Sequence, residues 1–434
     1  MTLTDEMAKV MRIIEKTDDL IYITGKAGTG KTTFLKYLAS HTSKRSIITA
    51  PTGVAAINAG GTTLHSFLGI PFGVLTPDMI KKSRFSPRKQ MLCNCIDLLI
   101  IDEISMVRAD VIDFINAKLK MYRRSNEPFG GIQVVMFGDL HQLPPVVKRT
   151  ERDILDEIYL GPYFFNAKVF QEKGFHIIEL SHVFRQSDEK FINVLNNIRD
   201  YKMTPDDINV LEEVRDRKES QNFDNGYIHI CSHKEDVTAI NSELLRTPTH
   251  EYKAELGDDF NENAMPCDAL LQLRVGARVM TLVNDPEKRY YNGSLGYVTT
   301  LSDDSIGLRL DNGYEVELGR YTWEACEYQM EKGEMKKVVK GTCCQFPVSL
   351  AWAITIHKSQ GLTFDKIAIH SKHMFCSGQL YVALSRCRSL EGIVSDSFIS
   401  KRMILPDKEL SNFETAYKQN NNYFDVNTYN SMLK

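Results

Sequence analysis

The sequence of 434 residues lacks several features that would place a protein in a special class. It has no apolar run of membrane-spanning length, and its first residues contain no apolar signal core, so neither a membrane anchor nor secretion is predicted. The nine cysteines form no C-x-x-C pair and no histidine-linked zinc spacing, which predicts reduced thiols in a cytosolic protein. The formal net charge is only −3, so a nucleic-acid partner would have to bind a local strip rather than a generally basic surface.

The sequence pattern is that of an α/β protein with several domains. Short β-branched segments at 20–24, 46–50, 96–101 and 132–137 alternate with helical patterns, which predicts a doubly wound parallel sheet. A second series of such segments, at 177–180, 227–230 and 367–370, predicts a second α/β domain that begins after about residue 175. Residues 255–346 show strand patterns without intervening helical patterns. Asp311-Asn312-Gly313 joins two strand-like segments in a predicted hairpin, and we predict a small β-barrel inserted there.

Residues 25–33 read Gly-Lys-Ala-Gly-Thr-Gly-Lys-Thr-Thr and fit the pattern G-x-x-x-x-G-K-[ST] between a predicted strand and a predicted helix. The glycines allow backbone N–H groups to converge on phosphate oxygens, and the helix N-terminus adds the positive end of its dipole. The Lys31 amine is predicted to reach the β- and γ-phosphates, and the Thr32 hydroxyl is predicted to bind Mg²⁺. The predicted ATP-binding residues are Gly25, Lys26, Ala27, Gly28, Thr29, Gly30, Lys31, Thr32 and Thr33.

Two further strand ends carry polar side chains that suit hydrolysis of a nucleotide. Asp102 and Glu103 follow an apolar strand, and at the carboxyl edge of a parallel sheet they would lie beside the phosphate loop. Asp102 is predicted to hold Mg²⁺, directly or through water, and Glu103 to orient and deprotonate the attacking water. Gln142, in the segment 138–145, can both donate and accept a hydrogen bond and is predicted to sense the γ-phosphate. A solvated strand end and a simple turn are the alternatives for these two segments.

Small and hydroxyl-bearing residues after the strand at 46–50 favour contact with a nucleic-acid backbone. The exposed N–H groups of such a turn suit a phosphodiester, and the segment 60–67 adds hydroxyls, a histidine and an aromatic ring for base stacking. A glycine-rich turn with a buried Phe67 explains the composition equally well. The predicted contacts are Pro51, Thr52, Gly53, Val54, Thr63, His65 and Phe67.

The order of these motifs resembles the Pif family of superfamily 1 (class B, RecD-like) DNA helicases. The resemblance runs from about residue 20 to residue 395 and includes the segment 127–133, which looks like a signature of that family. Segment 180–186 is similar to the arginine-bearing motif of the family's second motor domain, and segment 353–363 is similar to its DNA-gripping and coupling segment. Segment 379–387 is similar to the closing motif, whose arginine reaches the γ-phosphate.

The resemblance implies two RecA-like motor domains that share one ATP, with ATP and Mg²⁺ as cofactors. It implies that Arg185 and Arg386 bring positive charge to the γ-phosphate, so that the catalytic set is Lys31, Glu103, Gln142, Arg185 and Arg386. It adds Thr355, His357 and Lys358 to the DNA contacts. For each arginine, taken alone, a surface salt bridge is the alternative.

The sequence pattern and the resemblance together suggest domain boundaries. The first RecA-like motor domain is predicted to comprise residues 1–63 and 93–173, with a small wedge-like insert at 64–92. The second is predicted to comprise residues 174–254 and 347–434, with the β-barrel inserted at 255–346.

The implied activity is ATP-dependent translocation along single-stranded DNA in the 5′-to-3′ direction, with unwinding of duplex. The implied partners are single-stranded, duplex and forked DNA and also G-quadruplex DNA, with no membrane partner and a monomeric state. The implied roles are DNA repair, recombination or telomere maintenance, and the implied location is cytoplasmic and nucleoid-associated in a bacterium, or nuclear or mitochondrial in a eukaryote.

Some features depart from the family pattern or add to it. Met7 stands where family members often carry a glutamine that reads adenine, which puts adenine selectivity in question. The insert carries a basic run at 81–89, which is either a contact with the duplex junction or a solvated face. Arg278, Tyr290 and Tyr291 of the predicted barrel are further candidate DNA contacts.

Three other functions remain open from the sequence. A phosphate-loop kinase would show ATPase activity that single-stranded DNA does not change. An ATP-gated DNA clamp would show DNA-stimulated ATPase activity without strand separation. An RNA helicase is the third alternative, although no residue pattern here indicates recognition of a 2′-hydroxyl.

Overall fold

A parallel sheet of seven strands forms the centre of the first lobe in this computed structural model, which describes residues 3–424 except residues 72, 83–84, 187, 216–225, 259, 263–264, 332–333, 371–373, 375 and 420–422. In order across the sheet, the strands are Tyr423–Phe424 (β21), His176–Leu180 (β6), Ile21–Gly25 (β1), Gln133–Phe137 (β5), Leu98–Ile101 (β4), Ser46–Ala50 (β2) and Thr62–Thr63 (β3). Every neighbouring pair is parallel. The carboxyl ends of these strands therefore lie along one edge, where the candidate site forms.

Helices cover both faces of this sheet, which explains why its strands are apolar at nearly every position. Ile21 and Ile23 face one core, and Tyr22 between them faces the other, as the alternation of side chains along a strand requires. The first lobe and its insert contain the helices α1 (Asp5–Lys16), α2 (Lys31–His41), α3 (Gly53–Ala59), α4 (Leu64–Leu68), α5 (Pro77–Lys81), α6 (Pro87–Cys95), α7 (Ala109–Arg123), α8 (Arg149–Tyr159) and α9 (Lys168–Lys173).

The second lobe is built on a parallel sheet of four strands. In order across the sheet they are Ala353–Thr355 (β18), Ile228–Cys231 (β7), Ile367–Ile369 (β19) and Ile393–Ser395 (β20). Its helices are α10 (Glu189–Arg199), α11 (Pro205–Arg215), α12 (Lys234–Leu245), α13 (Ile356–Ser359) and α14 (Gln379–Leu384). Two parallel sheets flanked by helices confirm the predicted α/β fold class.

An all-β region is inserted in the second lobe. Five antiparallel strands form one sheet, in the order Glu315–Leu318 (β14), Ile306–Leu310 (β13), Leu295–Leu301 (β12), Arg278–Thr281 (β11) and Val348–Leu350 (β17). The remaining strands are His250–Lys253 (β8), Glu255–Asp258 (β9), Leu270–Leu273 (β10), Tyr321–Glu331 (β15) and Glu334–Gln345 (β16). The predicted hairpin is present, since β13 pairs with β14 across a turn in which Gly313 has φ +89°.

The structure differs from the predicted domain boundaries at three places. Strand β6 pairs with β1 in the first sheet, so the first lobe extends past the predicted boundary at residue 173. The last helix, α15 (Lys408–Gln419), packs Phe413 and Tyr417 against Phe175 of the first lobe, and β21 then joins the edge of the first sheet. Strand β17 belongs to the all-β region although it lies after residue 346. An apolar strand pattern does not reveal which sheet a strand joins, and this is why the sequence misplaced these elements.

The insert predicted at 64–92 contains the helices α4 and α5 and the start of α6. Within the described ranges, no helix is both long enough and apolar enough to cross a membrane.

Candidate nucleotide site between the two lobes

The phosphate loop lies between β1 and α2, as the motif predicted. Gly28 and Gly30 have φ +85° and +78°, a left-handed conformation that favours glycine, and Gly30 directly precedes the first turn of α2. The Lys31 Nζ atom donates hydrogen bonds to the carbonyl oxygens of Gly25 (2.6 Å) and Lys26 (3.1 Å), so the amine lies within the loop. Burial lowers the pKa of the Lys31 amine, and the negative charges of Asp139 and Glu103 oppose this shift. The loop therefore presents a cation beside unpaired N–H groups of a helix N-terminus.

The two acids after β4 lie next to this loop. Asp102 is buried, and its Oδ1 atom accepts a hydrogen bond from the Glu103 backbone N–H at 3.0 Å. Burial raises the pKa of Asp102 to about 6. Burial, together with the charge of Asp102, raises the pKa of Glu103 to about 7. Glu103 also has φ +50°, a conformation that residues other than glycine rarely adopt and that is often found at functional sites.

The second lobe reaches this acid through a residue that the sequence analysis did not assign to the site. Gln360 follows α13, and its Nε2 atom donates to Glu103 Oε2 at 3.0 Å and to Gln142 Oε1 at 3.3 Å. The Gln142 Nε2 atom in turn donates to Asp139 Oδ2 at 3.3 Å. The predicted base and the predicted γ-phosphate sensor thus share one partner from the opposite lobe. The sequence signal for Gln360 was weak, since it was only one polar residue in a segment assigned by resemblance.

The two predicted arginines meet on the other side of the loop. The resemblance placed Arg185 in the second motor domain, and in the structure it lies on the segment that connects β6 of the first lobe to α10 of the second. Its Nη1 atom donates to the Ser385 carbonyl oxygen at 3.0 Å. A side chain at position 28 would collide with Arg185 Cβ, so Arg185 lies directly over the phosphate loop. Arg386 follows α14 and is 1% exposed, and its Nε atom donates to the Val382 carbonyl oxygen at 2.8 Å.

Both arginines of this cleft are withdrawn from water, which lowers their pKa values. Burial lowers the pKa of Arg185 to about 10. Burial, together with the charge of Arg185, lowers the pKa of Arg386 to about 9. Both arginines stay protonated at neutral pH. An anion bound between them and Lys31 would stabilise their buried positive charges. Tyr381 of α14 adds a direct contact between the lobes, because its hydroxyl accepts a hydrogen bond from the Ala27 N–H at 2.8 Å.

Three of the predicted DNA contacts share one local structure. Thr63 and Thr355 are the last residues of strands, and Thr52 lies two residues after β2. Each hydroxyl accepts a hydrogen bond from the backbone N–H three residues later, at 3.1, 3.1 and 3.2 Å. These turns occur in both lobes, at the carboxyl edges of the two sheets. Thr52, Val54, His357 and Lys358 are exposed, while Pro51, Gly53, Thr63 and His65 are half-buried and Thr355 is buried.

Other predicted DNA contacts lie inside the protein. Phe67 is 4% exposed in the core of the first lobe, so it offers no ring for base stacking and the alternative of a buried side chain is correct. Half-buried His65 and exposed His357 are not enclosed in this way, but partial desolvation lowers the pKa of both rings, which favours their neutral form. Arg278 is 1% exposed and binds Asp311 with two hydrogen bonds of 2.5 Å, so it is a structural residue.

The remaining candidates in the insert and the barrel differ in their exposure. Tyr290 is buried and Tyr291 is 58% exposed. In the basic run, Lys82 and Arg88 are exposed, and Lys89 Nζ donates to the carbonyl oxygens of Ser66 and Phe67. Residues 83–84 lie outside the described residues. Met7, at the position where the family pattern has a glutamine, is buried next to Gly30.

The chain is similar to proteins known from their sequences and from solved structures. The chain is 37% identical over 410 residues to the human ATP-dependent DNA helicase PIF1, with 90% of this chain and 60% of the human protein covered. It therefore spans about 60% of the length of the vertebrate relatives that it matches. The crystal structure of Bacteroides sp Pif1 in complex with ADP-AlF4 is 56% identical, with a TM-score of 0.92 and coverage of 98% of this chain and 99% of that chain. The structure of Bacteroides Pif1 bound to ssDNA has the same identity and coverage and a TM-score of 0.73.

The sequence model of the PIF1-like helicase family matches residues 2–221, about half of the chain. The resemblance drawn from the order of the motifs is confirmed by this match and by the solved structures. The chain belongs to the PIF1-like helicase family.

Proposed function

We propose that this protein is an ATP-dependent DNA helicase that moves along single-stranded DNA in the 5′-to-3′ direction and separates duplex strands. One observation carries the proposal: residues of both lobes meet around one phosphate loop. Lys31 and Glu103 belong to the first lobe, and Gln360 and Arg386 reach the same cleft from the second. A nucleotide bound there would contact both lobes, so its hydrolysis would change how they fit together.

In this proposal the cleft residues divide the work of hydrolysis. Residues 25–33 hold the phosphates, with Lys31 on the β- and γ-phosphates. Glu103 accepts a proton from the attacking water, a role suited to a carboxylate whose pKa is raised to about 7. Gln142 orients groups around the γ-phosphate, and Arg185 and Arg386 stabilise the negative charge that develops there.

The Thr32 hydroxyl and the Asp102 carboxylate are proposed to hold Mg²⁺. Both present hard oxygen atoms, and Asp102 lies buried beside the loop, which fits an ion that takes its other ligands from phosphates and water. When bound there, the ion would supply positive charge that offsets the negative charge of the phosphates.

DNA is proposed to bind along the edge formed by the threonine turns of both lobes. The relative from Bacteroides has been crystallised with single-stranded DNA and at forked double-stranded DNA, and it is 55–56% identical to this chain. The proposed contacts are Pro51, Thr52, Gly53, Val54, Thr63, His65, Thr355, His357 and Lys358. Activity on G-quadruplex DNA, a monomeric state and an intracellular location belong to the same proposal, as do roles in DNA repair or recombination.

A strand-separation assay tests this function. Duplexes with a 5′ or a 3′ single-stranded tail are mixed with the protein, with and without ATP, and the variant Lys31→Ala serves as the control for nucleotide dependence. We expect ATP-dependent separation only of the 5′-tailed duplex, and none with Lys31→Ala. Stimulation of ATP hydrolysis by DNA without separation would indicate a clamp, and ATP hydrolysis that DNA does not change would indicate a kinase.

A further inference from the structure

Arg199 is a buried cation of the second lobe with no role in the site described above. It ends α10, and its Nη2 atom lies 3.2 Å from Asp139 Oδ1 and 3.8 Å from Glu179 Oε1, both of which belong to the first lobe. Arg199 is 8% exposed and Asp139 is 1% exposed, so the pair is shielded from solvent. A buried ion pair usually stabilises a protein no more than apolar residues of similar volume would. The other hydrogen bonds of Asp139 indicate a second role for the pair.

Asp139 also binds the predicted γ-phosphate sensor. Its Oδ1 atom accepts the His141 N–H at 3.2 Å, and its Oδ2 atom accepts from Gln142 Nε2 at 3.3 Å. Burial raises the pKa of the Asp139 carboxyl, but the charges of Arg199 and Lys31 outweigh this effect and lower it overall. Asp139 is therefore ionised and can only accept hydrogen bonds.

An acceptor-only partner fixes the orientation of the Gln142 amide. The NH₂ group has to face Asp139, so the Oε1 atom faces the cleft, where it accepts from Gln360 at 3.3 Å. Gln360 also binds Glu103, so five residues form a continuous polar chain, Arg199–Asp139–Gln142–Gln360–Glu103, which we name the Arg199 relay. Arg199 and Gln360 belong to the second lobe, whereas Asp139, Gln142 and Glu103 belong to the first, so the relay crosses between the lobes at two contacts.

We propose that Arg199 is a positioning residue for ATP hydrolysis, which holds the Gln142 amide in its working orientation through Asp139. The proposal rests on the proposed function, because it assigns Arg199 to the same hydrolysis site. Without Arg199, the buried Asp139 would take up a proton more readily and could then donate to Gln142, and the amide would lose its preferred orientation. In the Arg199 relay, Arg199 contacts Asp139 and takes no part in the phosphate loop. We therefore expect the affinity for ATP to depend little on Arg199.

A double-mutant cycle tests the relay. Single-turnover ATP hydrolysis with saturating single-stranded DNA is measured for the wild type, Arg199→Met, Gln142→Ala and the double variant. We expect Arg199→Met to slow hydrolysis about ten- to hundredfold, as loss of orientation does, with little change in the affinity for ATP. In the Gln142→Ala background we expect Arg199→Met to have almost no further effect, because the amide that it positions is gone.

Arg152→Met is the matched control, since Arg152 also pairs with two carboxylates, Asp156 and Glu409, but is 43% exposed on α8. It is expected to leave the rate unchanged. If thermal melting shows that Arg199→Met does not fold, Arg199→Lys replaces it in the same cycle, because it keeps the charge and shortens the reach. Losses that multiply in the double variant, or an unchanged rate, would overturn the relay. A wild-type rate that DNA does not stimulate would instead overturn the proposed function.

Discussion

The substitution Glu103→Gln tests two properties of the Glu103 carboxylate, its role in hydrolysis and its effect on the stability of the fold. Glutamine has the same shape as glutamate, and its carbonyl oxygen can still accept the hydrogen bond from Gln360 Nε2. It cannot accept a proton from water. We therefore expect ATP to bind as before while hydrolysis slows by about 10²–10⁴-fold, the usual contribution of a general base.

The same substitution is expected to stabilise the fold at high pH. Folding raises the pKa of Glu103 from its ordinary value of 4.5 to about 7, mainly through burial. A carboxyl group with a raised pKa destabilises the folded state where it is ionised, and a rise of this size corresponds to about 3 kcal/mol. This destabilisation is absent below about pH 4.5, grows as the pH rises, and is complete above about pH 7.

The assay combines both readouts across pH. Thermal melting of wild type and Glu103→Gln is followed from acid pH to pH 8, with ATP binding and hydrolysis measured on the same samples. Each kcal/mol is expected to shift the midpoint by about 2–4 °C in a domain of 150–250 residues. The variant should melt higher than wild type at pH 8, and the difference should disappear towards acid pH.

The exposed Glu212 on α11 supplies the control, and Glu212→Gln should change neither rate nor melting. A wild-type rate of hydrolysis in Glu103→Gln would remove Glu103 from its role as base. Equal melting of wild type and Glu103→Gln at pH 8 would show that the carboxylate is not held in an unfavourable environment.

Three further predictions concern the arginine, the DNA strand and the buried ring. Arg386→Ala should raise the barrier to hydrolysis by roughly 4–7 kcal/mol, and a rate loss below tenfold would mean that Arg386 is only structural. The affinity for single-stranded DNA should fall with salt with a log–log slope of about −4 if about six phosphates are bound, whereas a flat response would contradict a groove for the backbone. Phe67→Leu should destabilise the protein by about 1 kcal/mol in a melting measurement, because Phe67 is a core residue. Removal of a ring that stacks on a base would cost about 1–3 kcal/mol in DNA affinity, and a binding measurement should show no such loss.

The parts of this fold that the sequence predicted are those that local pattern controls. The phosphate loop could be placed because glycines at fixed spacing, a strand before them and a helix after them all act within a few residues. Strand β6 and helix α15 were misplaced because their position depends on contacts far along the chain, such as Phe413 against Phe165. A sequence pattern states that a face is apolar but not which partner will cover it.

The same distinction explains which site residues were found. Lys31 and Glu103 lie at strand ends that a motif identifies, whereas Gln360 and Arg199 gain their partners only when the lobes meet. Arg278 and Phe67 carried the side chains expected of DNA contacts, and both are buried by neighbours that the sequence did not reveal. Residue type indicates what a side chain can do, and packing decides whether it is available to do it.

The raised pKa of Glu103 links catalysis to contact between the lobes. A general base works best when its pKa lies near the working pH, and Glu103 reaches about 7 because it is withdrawn from water. Part of that enclosure comes from the second lobe, since Gln360 contacts the carboxylate, while the positive charge of Arg386 from the same lobe acts in the opposite direction and lowers the pKa. If the second lobe withdrew, entry of water would lower the pKa of Glu103 and loss of the Arg386 charge would raise it. The first lobe supplies the carboxylate and the phosphate loop, but the pKa of the base is set by both lobes together.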